Sequence, residues 1–239
     1  MIIINSRTKR KWCVDILIKP HNMLNSNIKA FFTTKTLSNN LKRVLKAIGI
    51  SENHVYLPVQ KHTDKIMILE NDFKPEVADA ILTERKGVLI GVQVADCVPI
   101  LLYDKGKSAV GAVHAGWRGT AAGILKNTIK IMQEKFKSSA EDILIAIGPS
   151  IRGCCYNVGS EVKDAVCEAT GEGGYYHETD GKLFIDLSSA NRIQALSTGV
   201  LEGNIWQSEE CTFCNPERFH SYRYVKDSAG RQGGFIGML

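Results

Sequence analysis

The chain has 239 residues, of which 44% are hydrophobic and 23% are charged. This composition excludes a wholly disordered or low-complexity protein, because enough apolar side chains are present to bury a core. Lys and Arg exceed Asp and Glu by a net charge of +5. That charge suits a soluble surface or an anionic ligand, and it predicts no specific binding to nucleic acid.

The N-terminal end has the wrong order of residues for a secretory signal. A short apolar stretch at residues 1–6 precedes four basic residues, whereas a signal peptide places its charge before a longer apolar stretch. No apolar run approaches the roughly 20 residues that span a bilayer. Seven cysteines without an export signal favour reduced thiols. We therefore predict a cytoplasmic protein without membrane association.

Neither an internal repeat nor a linker divides the chain, so we predict one domain over residues 1–239. Polar stretches rich in Ser, Asn or Gly at residues 35–40 and 171–174 are typical of surface loops. The predicted elements between them are clearest in the middle of the chain.

Three short apolar runs in the middle of the chain indicate buried strands. The first is Val88–Val94, which is rich in β-branched residues. A second strand is expected at residues 100–103, after Pro99 interrupts the ladder or forms a bulge. A third occupies residues 109–113 and ends at His114.

A glycine-bearing turn at residues 114–120 follows, with Thr120 as the expected N-cap of a helix that begins near Ala121. The apolar residues of this helix recur at helical spacing: Leu125, Ile129, Met132 and Phe136. Behind it, Ile143–Ile147 is predicted to be another strand.

Two further helices are expected in the C-terminal half. Ser160 and Ser188 are their predicted N-caps, and Gly199 ends the second helix. Strands and helices alternate without a regular βαβ period. The predicted fold class is therefore α+β, with mixed β-sheets sandwiched by helices.

Three candidate metal ligands lie at strand ends or in turns: His62, Cys97 and His114. His114 follows Cys97 by 17 positions, which suits two neighbouring strands that end at the same edge of a sheet. Two imidazoles and one thiolate form a known type of catalytic zinc site with one open position. This donor set prefers zinc or copper to magnesium. Each residue could instead be packed or hydrogen-bonded without a metal.

The turn after His114 contains Gly116, Gly119 and Arg118. A glycine-bearing turn at a helix N-terminus exposes backbone N–H groups to an anion. Arg118 could add a bidentate contact, or it could be a solvated loop cation.

Eight short blocks occur in a fixed order and together resemble the laccase-domain family, long labelled multicopper polyphenol oxidases. They are Gln60-Lys61-His62, Ala95-Asp96-Cys97-Val98-Pro99, His114-Ala115-Gly116-Trp117-Arg118-Gly119, Ile147-Gly148-Pro149-Ser150-Ile151, Cys154-Cys155-Tyr156-Asn157-Val158-Gly159, Cys211-Thr212-Phe213-Cys214, Phe219-His220-Ser221-Tyr222-Arg223 and Gly230-Arg231-Gln232.

The resemblance implies a zinc-dependent purine nucleoside phosphorylase that also deaminates adenosine, and one bacterial branch is described as a peptidoglycan-editing factor. The expected partners are a purine nucleoside (adenosine, inosine or methylthioadenosine) and phosphate. The family places its zinc on a His, a Cys and a His in these motifs, here His62, Cys97 and His114. Copper is the less favoured metal. The oligomeric state, monomer or homodimer, stays open.

Further site roles follow from this resemblance. Cys97 is predicted to be a catalytic residue as well as a ligand. Asp96 could orient a ligand or accept a proton, or it could simply cap a strand end. Arg118 would bind the anion. Arg223 and Arg231 could line the substrate pocket or form surface salt bridges.

The sequence departs from the family pattern at two places. The segment around residues 36–41 is shorter than the family's glycine-rich stretch and runs directly into a Lys-rich helix candidate. His220 stands where the family commonly has a second aromatic residue. Both departures bear on the substrate more than on the metal.

Other enzyme classes remain as alternatives. Cys97 and His114 could form a thiolate–imidazolium pair, as in a cysteine hydrolase or amidase that acts on cell-wall precursors. A copper polyphenol oxidase would need several coppers and many His ligands, and the chain has six histidines.

A binding module with a structural zinc clamp is the non-enzyme alternative. It would use Cys211 and Cys214 together with Cys154 and Cys155. Because paired zinc ligands are usually separated by two to four residues, the adjacent Cys154 and Cys155 favour reduced, partly buried cysteines instead.

Overall fold

The computed structural model describes residues 17–24, 27–37, 40–51, 55–71 and 73–239. The apolar stretch at residues 1–6, the basic residues after it and part of the predicted loop at residues 35–40 lie outside these ranges. The described strands are β1 (Leu17–Ile18), β2 (Ile28–Thr33), β3 (Val55–Tyr56), β4 (Ile66–Ile68), β5 (Ala80–Thr83), β6 (Val88–Val94), β7 (Val98–Asp104), β8 (Ala109–Ala115), β9 (Ile143–Ile147), β10 (Asn157–Val158), β11 (Tyr176–Thr179), β12 (Lys182–Ile185), β13 (Ile205–Gln207) and β14 (Gln232–Met238). The α-helices are α1 (Leu41–Ile48), α2 (Trp117–Ala121), α3 (Ile124–Phe136), α4 (Ser160–Thr170), α5 (Leu187–Ser197) and α6 (Tyr222–Val225).

The strands form two large mixed sheets and one small antiparallel sheet. The five-stranded sheet has the order β1-β2-β14-β6-β3, and the six-stranded sheet has the order β13-β9-β7-β8-β5-β4. Strands β10, β12 and β11 form the small sheet. Most neighbours are antiparallel, but β3 with β6, β4 with β5 and β13 with β9 are parallel. The predicted class, α+β with mixed sheets, is confirmed.

The two large sheets pack face to face, and helices cover their outer faces. Phe32 of β2 and Leu101 of β7 belong to the core between the sheets. The next residue on each strand faces the opposite way, because side chains alternate along a strand. Phe31 therefore packs with Val44 of α1, and Leu102 packs in the core beneath α3 and α5.

Burial on both faces explains the apolar character of the middle strands. All seven residues of β7 and all seven of β8 are buried, as expected for strands covered on both sides. The predicted bounds of β6 and β9 are confirmed. The interruption predicted at Pro99 is wrong, since β7 runs through it. Pro99 is only the second residue of β7, where a missing N–H is tolerated.

The helix predicted near Ala121 is two helices. The short helix α2 begins at Trp117 with Gly116 as its N-cap, and α3 begins at Ile124 after Gly123, whose φ is 67°. Thr120 is therefore not an N-cap but a buried residue inside α2. The apolar side of α3 is as predicted, with Leu125, Ile129 and Met132 buried and Phe136 packed against the same core.

The other predicted caps are displaced by one or two residues. Gly159 is the N-cap of α4, and Ser160 is its first helical residue. Asp186 caps α5, because its side chain accepts a hydrogen bond from the Ser189 N–H. Asp and Ser cap equally well, so composition alone could not choose between them. Within the described residues, no helix is both long and apolar enough to cross a bilayer.

Candidate metal centre and pocket

Cys97 and His114 meet at one edge of the six-stranded sheet. Cys97 directly precedes β7, and His114 lies near the end of β8, opposite Pro99 in the antiparallel pair. The predicted common edge is therefore confirmed, but the pairing strand is β7 and not β6. Strand β6 belongs to the other sheet, so the three residues 95–97 carry the chain from one sheet to the other.

His62 reaches the same place from a loop between β3 and β4. Its ring contacts the His114 ring edge-on, with centroids 4.8 Å apart, and its Nε2 lies 3.8 Å from the Cys97 Sγ. One ligand atom from each of the three residues lies within 4.8 Å of the others. The structure thus brings together the three residues that the sequence predicted to be a metal site.

Gly116 lets the chain pass close to these ligands. A Cβ at this position would lie 3.1 Å from the Cys97 Sγ and 3.2 Å from the His62 Cδ2. Both distances are tighter than ordinary contacts, so any side chain here would press on two of the three candidate ligands. The glycine in the turn after His114 is therefore explained by close approach.

Asp79 organises the centre, although it is not among the site residues predicted from the sequence. This fully buried carboxylate accepts a hydrogen bond from His114 Nδ1 at 2.7 Å. It also accepts bonds from the backbone N–H groups of Lys61, His62 and Thr63, and from the Thr63 hydroxyl. Three consecutive N–H groups on one carboxylate hold the loop in place, and His62 there has a φ of 58°. The only sequence signal was a single Asp before an apolar strand.

The charges of the centre favour a thiolate at Cys97. Burial would raise the pKa of Cys97, but the charge and hydrogen bond of His114, together with His62, lower it to about 6. Burial would lower the pKa of His114, but Cys97 and Asp79 raise it to about 9. Burial would also raise the pKa of Asp79, yet its bonds from His114 and Thr63 hold it well below its usual range.

The residues present fit a single zinc ion. Because His114 bonds to Asp79 through Nδ1, Nε2 is the nitrogen that could bind a metal, and a carboxylate behind a ligating imidazole is a common arrangement in metal sites. Two imidazoles and a thiolate leave a fourth coordination position, and the pocket beside them offers access to it.

The pocket next to the three ligands has a volume of about 760 Å³. This size lies within the usual range for small-molecule sites. Three predicted substrate residues line it, namely Arg118, Arg223 and Arg231. Apolar and aromatic residues form other parts of the wall: Ile151, Tyr156, Trp117, Leu187 and Tyr222.

Each arginine of the pocket contacts a neighbouring group, either an aromatic ring or backbone carbonyl groups. The Arg118 guanidinium lies over the Trp117 ring at 4.4 Å, and that of Arg223 lies over the Tyr156 ring at 5.2 Å. Arg231 donates to the carbonyl groups of Ala229 and Gly230. Helix α2 has only five residues, so the predicted anion contact depends on the guanidinium groups and not on a long helix.

Asp96 lines the pocket, but both of its carboxylate oxygens already accept hydrogen bonds. Oδ1 accepts from the Thr212 hydroxyl at 2.7 Å, and Oδ2 accepts from the Arg223 N–H at 2.6 Å. Its backbone has a φ of 83°, which is strained for a residue other than glycine. These contacts favour a positioning role over the proton-accepting role, which stays a prediction.

Comparison with known proteins gives the family. The model of the multi-copper polyphenol oxidoreductase laccase family matches residues 13–239. The chain belongs to this family.

The relatives carry enzyme names. A purine nucleoside phosphorylase of Aquifex aeolicus is 42% identical over 191 residues, which cover 80% of this chain and 85% of the relative. Adenosine deaminase RL5, from an unknown prokaryotic organism, is 33% identical over 77% of this chain and 75% of its own length. The crystal structure of YlmD from Geobacillus stearothermophilus superposes with a TM-score of 0.85 at 30% identity, covering 89% of this chain and 92% of that one.

Proposed function

We propose that the protein is a zinc-dependent purine nucleoside phosphorylase that also deaminates adenosine. The observation that carries the proposal is the convergence of His62, Cys97 and His114 beside a pocket lined by arginines. The names of the relatives support the substrate class.

Zinc, when held by the three ligands, would supply a Lewis acid with one open position for water or phosphate. The remaining contributions come from the chain. Asp79 fixes the tautomer of His114, so that Nε2 faces the metal position. Cys97 is ready to bind as a thiolate because its pKa lies near 6.

The arginines give the pocket its preference for an anion. Arg118 and Arg223 present planar guanidinium groups that can contact a phosphate through two hydrogen bonds each. Arg231 adds positive charge to the same pocket. In phosphorolysis these groups would hold the phosphate beside the sugar carbon that loses the purine.

The aromatic part of the wall suits a purine ring. Tyr156 and Trp117 offer flat surfaces next to the arginines, and aromatic rings stack favourably with bases. Burial and the nearby Cys97 raise the pKa of Tyr156 to about 12, so its hydroxyl keeps its proton at neutral pH. Asp96 holds the Arg223 backbone against this wall.

The test is an assay of the zinc-loaded protein with adenosine and with inosine, each with and without phosphate. We expect phosphate-dependent release of free base and ribose-1-phosphate, and phosphate-independent conversion of adenosine to inosine. His114→Ala should abolish both, because it removes a metal ligand. Turnover that is unaffected by His114→Ala would contradict the proposal.

The role of Arg118 is tested separately. Arg118→Ala should raise the KM for phosphate by about 10-fold or more and affect deamination less, because a charge-assisted hydrogen bond contributes roughly 1.5–3 kcal/mol. Arg43→Ala is the matched control, since Arg43 is exposed on α1. Equal effects of the two substitutions on the KM for phosphate would show that Arg118 does not bind phosphate.

A cysteine hydrolase is a second candidate, because the His114 ring contacts both the Cys97 thiol and the Asp79 carboxylate, as in a thiol–imidazole–carboxylate triad. Such an enzyme would cleave an amide of a cell-wall precursor without a metal. Amidase activity that resists chelators and is lost on thiol alkylation would favour it. Activity lost to a chelator and restored by zinc, but not by copper, would favour the metal-dependent phosphorylase over both the hydrolase and the oxidase.

A further inference from the structure

Four cysteines outside the pocket form a second group of sulfur atoms, which we call the cysteine cluster: Cys154, Cys155, Cys211 and Cys214. The Cys214 Sγ lies 3.7 Å from the Cys154 Sγ and 3.2 Å from the Cys155 Sγ. All four sulfur atoms lie within 4.8 Å of one another. The sequence favoured reduced, partly buried cysteines over a zinc clamp, and the folded chain brings these four thiols together.

Two tight turns aim these adjacent side chains at one point. In the first turn, the N–H groups of Cys155 and Tyr156 both bond to the Arg152 carbonyl. In the second, the Asn215 N–H bonds to the Cys211 carbonyl. The two turns are joined because Ser150 and Cys211 form a parallel bridge. Cys154 and Cys155 lack the separation of two to four residues that paired zinc ligands usually have. The tight turn brings their sulfur atoms towards the same point in spite of this.

The sulfur separations lie around that of a metal-centred tetrahedron. A Zn–S bond of about 2.3 Å places neighbouring sulfur ligands about 3.8 Å apart, which is close to the 3.7 Å of one pair and between the 3.2 Å of another and the 4.8 Å limit for all four. A disulfide would need a separation of about 2.05 Å. Each sulfur in the cluster has several sulfur neighbours, whereas a disulfide joins only two.

Backbone donors also point at the cluster. The Arg152 N–H donates to the Cys211 Sγ at 3.4 Å, and the Cys214 N–H bonds to the same sulfur. The Arg152 guanidinium is directed elsewhere, to Asp186 and to the Ser208 carbonyl. The Arg152 side chain is therefore engaged away from the four sulfur atoms. A soft divalent cation would balance the charge of four thiolates.

We propose a second zinc site, closed by four thiolate ligands: Cys154, Cys155, Cys211 and Cys214. Each thiol that binds loses one proton to solvent. Four protein ligands leave no open position, so the site is structural and not catalytic. Its zinc would take no direct part in the reaction proposed for the pocket.

The cluster connects to the pocket through its own loops. Tyr156 and Ile151 of the first turn line the pocket. Thr212, between the two cysteines of the second turn, bonds to the Ser150 carbonyl and to the Asp96 carboxylate. A metal here would tie these two turns together and hold one wall of the pocket.

The experiment measures zinc per chain in the full-length protein and in two variants. We expect about two zinc ions per chain in the wild type and about one in each of Cys214→Ser and His62→Ala. Cys167→Ser is the matched control. Cys167 lies on α4 with a bond from the Tyr175 hydroxyl, and its replacement should leave both ions in place.

X-ray absorption of the bound zinc keeps the proposal testable if Cys214→Ser does not fold. With the cluster filled, His62→Ala should show zinc with four sulfur ligands, whereas the pocket site alone offers one sulfur. One zinc per chain in the wild type, unchanged by Cys214→Ser, would overturn the proposal. A Cys155–Cys214 disulfide found by mass spectrometry in protein prepared without oxidant would also overturn it.

Discussion

At the scale of single residues, the candidate metal centre depends on a carboxylate that binds no metal itself. Asp79 is fully buried, and five donors from two separate segments converge on it. It fixes the ring of His114 and, through the backbone of residues 61–63, the place of His62. Two of the three ligands are thus oriented by one side chain.

We predict that Asp79→Asn weakens zinc binding by about 10- to 100-fold. The amide has nearly the same shape, but one of its oxygens becomes an NH₂ group that faces N–H donors instead of accepting from them. Zinc affinity is measured by competition with a chromogenic chelator.

Asp64→Asn is the control for this prediction, because Asp64 lies on the same loop and is exposed. It should leave the zinc affinity within about 2-fold, as expected for a surface change. An unchanged affinity in Asp79→Asn would mean that packing alone orients His114.

The sequence could predict the ligands but not what orients them. His62, Cys97 and His114 have side chains typical of zinc sites, so their chemistry is visible in the residue type. Asp79 has no such mark, because a buried Asp is recognised only by the donors that surround it. The four cysteines could be considered as a zinc clamp from the sequence, but their spacing argued against it, because the geometry of the cluster arises from two turns and not from spacing.

At the scale of elements, the short helix α2 carries Arg118 and is anchored to α5 by buried polar contacts. The Thr120 hydroxyl accepts a hydrogen bond from Asn191 Nδ2 at 2.9 Å, and the Thr120 carbonyl accepts one from Gln194 Nε2 at 2.9 Å. These contacts explain why a helix of five residues is held in place. They also explain why Thr120, which was predicted to be an N-cap, is buried in the protein interior.

We predict that Thr120→Val lowers the free energy of unfolding by about 1–3 kcal/mol. The substitution keeps the volume but removes the acceptor of a buried Asn191 N–H. Urea unfolding measures the loss. The KM for phosphate should rise as well, because Arg118 is on the same helix.

Thr128→Val provides the comparison. Thr128 is also fully buried, but within the described part of the chain its hydroxyl bonds only to the Ile124 carbonyl of its own helix, so no described donor loses its acceptor. Its cost should be smaller than that of Thr120→Val. Equal losses would show that the tie between α2 and α5 adds nothing to stability.

The strands were the more predictable elements. Val88–Val94 and Ile143–Ile147 have the predicted bounds because both are mostly apolar runs with a glycine at one end, Gly87 before the first and Gly148 after the second. The break between α2 and α3 was not predicted. The break depends on Gly123, whose backbone is in the left-handed region. A glycine near the start of a helix does not by itself indicate that conformation.

At the scale of the whole molecule, one aromatic contact spans the two large sheets. Phe32 of β2 stacks on Trp206 of β13, with centroids 5.9 Å apart and planes inclined by 18°. Gly148 follows β9 directly and lies against the same ring. The chain then continues into the turn that carries Cys154 and Cys155. Gly148 therefore lies between the core that joins the two sheets and the turn that forms one wall of the pocket.

We predict that Gly148→Ala lowers the free energy of unfolding by about 1–3 kcal/mol, the usual cost of overpacking a core. The added Cβ would lie 2.5 Å from the Phe32 Cδ1, and Phe32 is too buried to move aside without shifting β2 or Trp206. Urea unfolding, followed by tryptophan fluorescence, measures the loss. Gly203→Ala is the control, because a Cβ at that exposed position meets nothing within 4 Å, and its effect should stay within about 0.5 kcal/mol. If Gly148→Ala were as stable as Gly203→Ala, the sheets would have room to adjust, and the tight contact at Phe32 would not limit the sequence here.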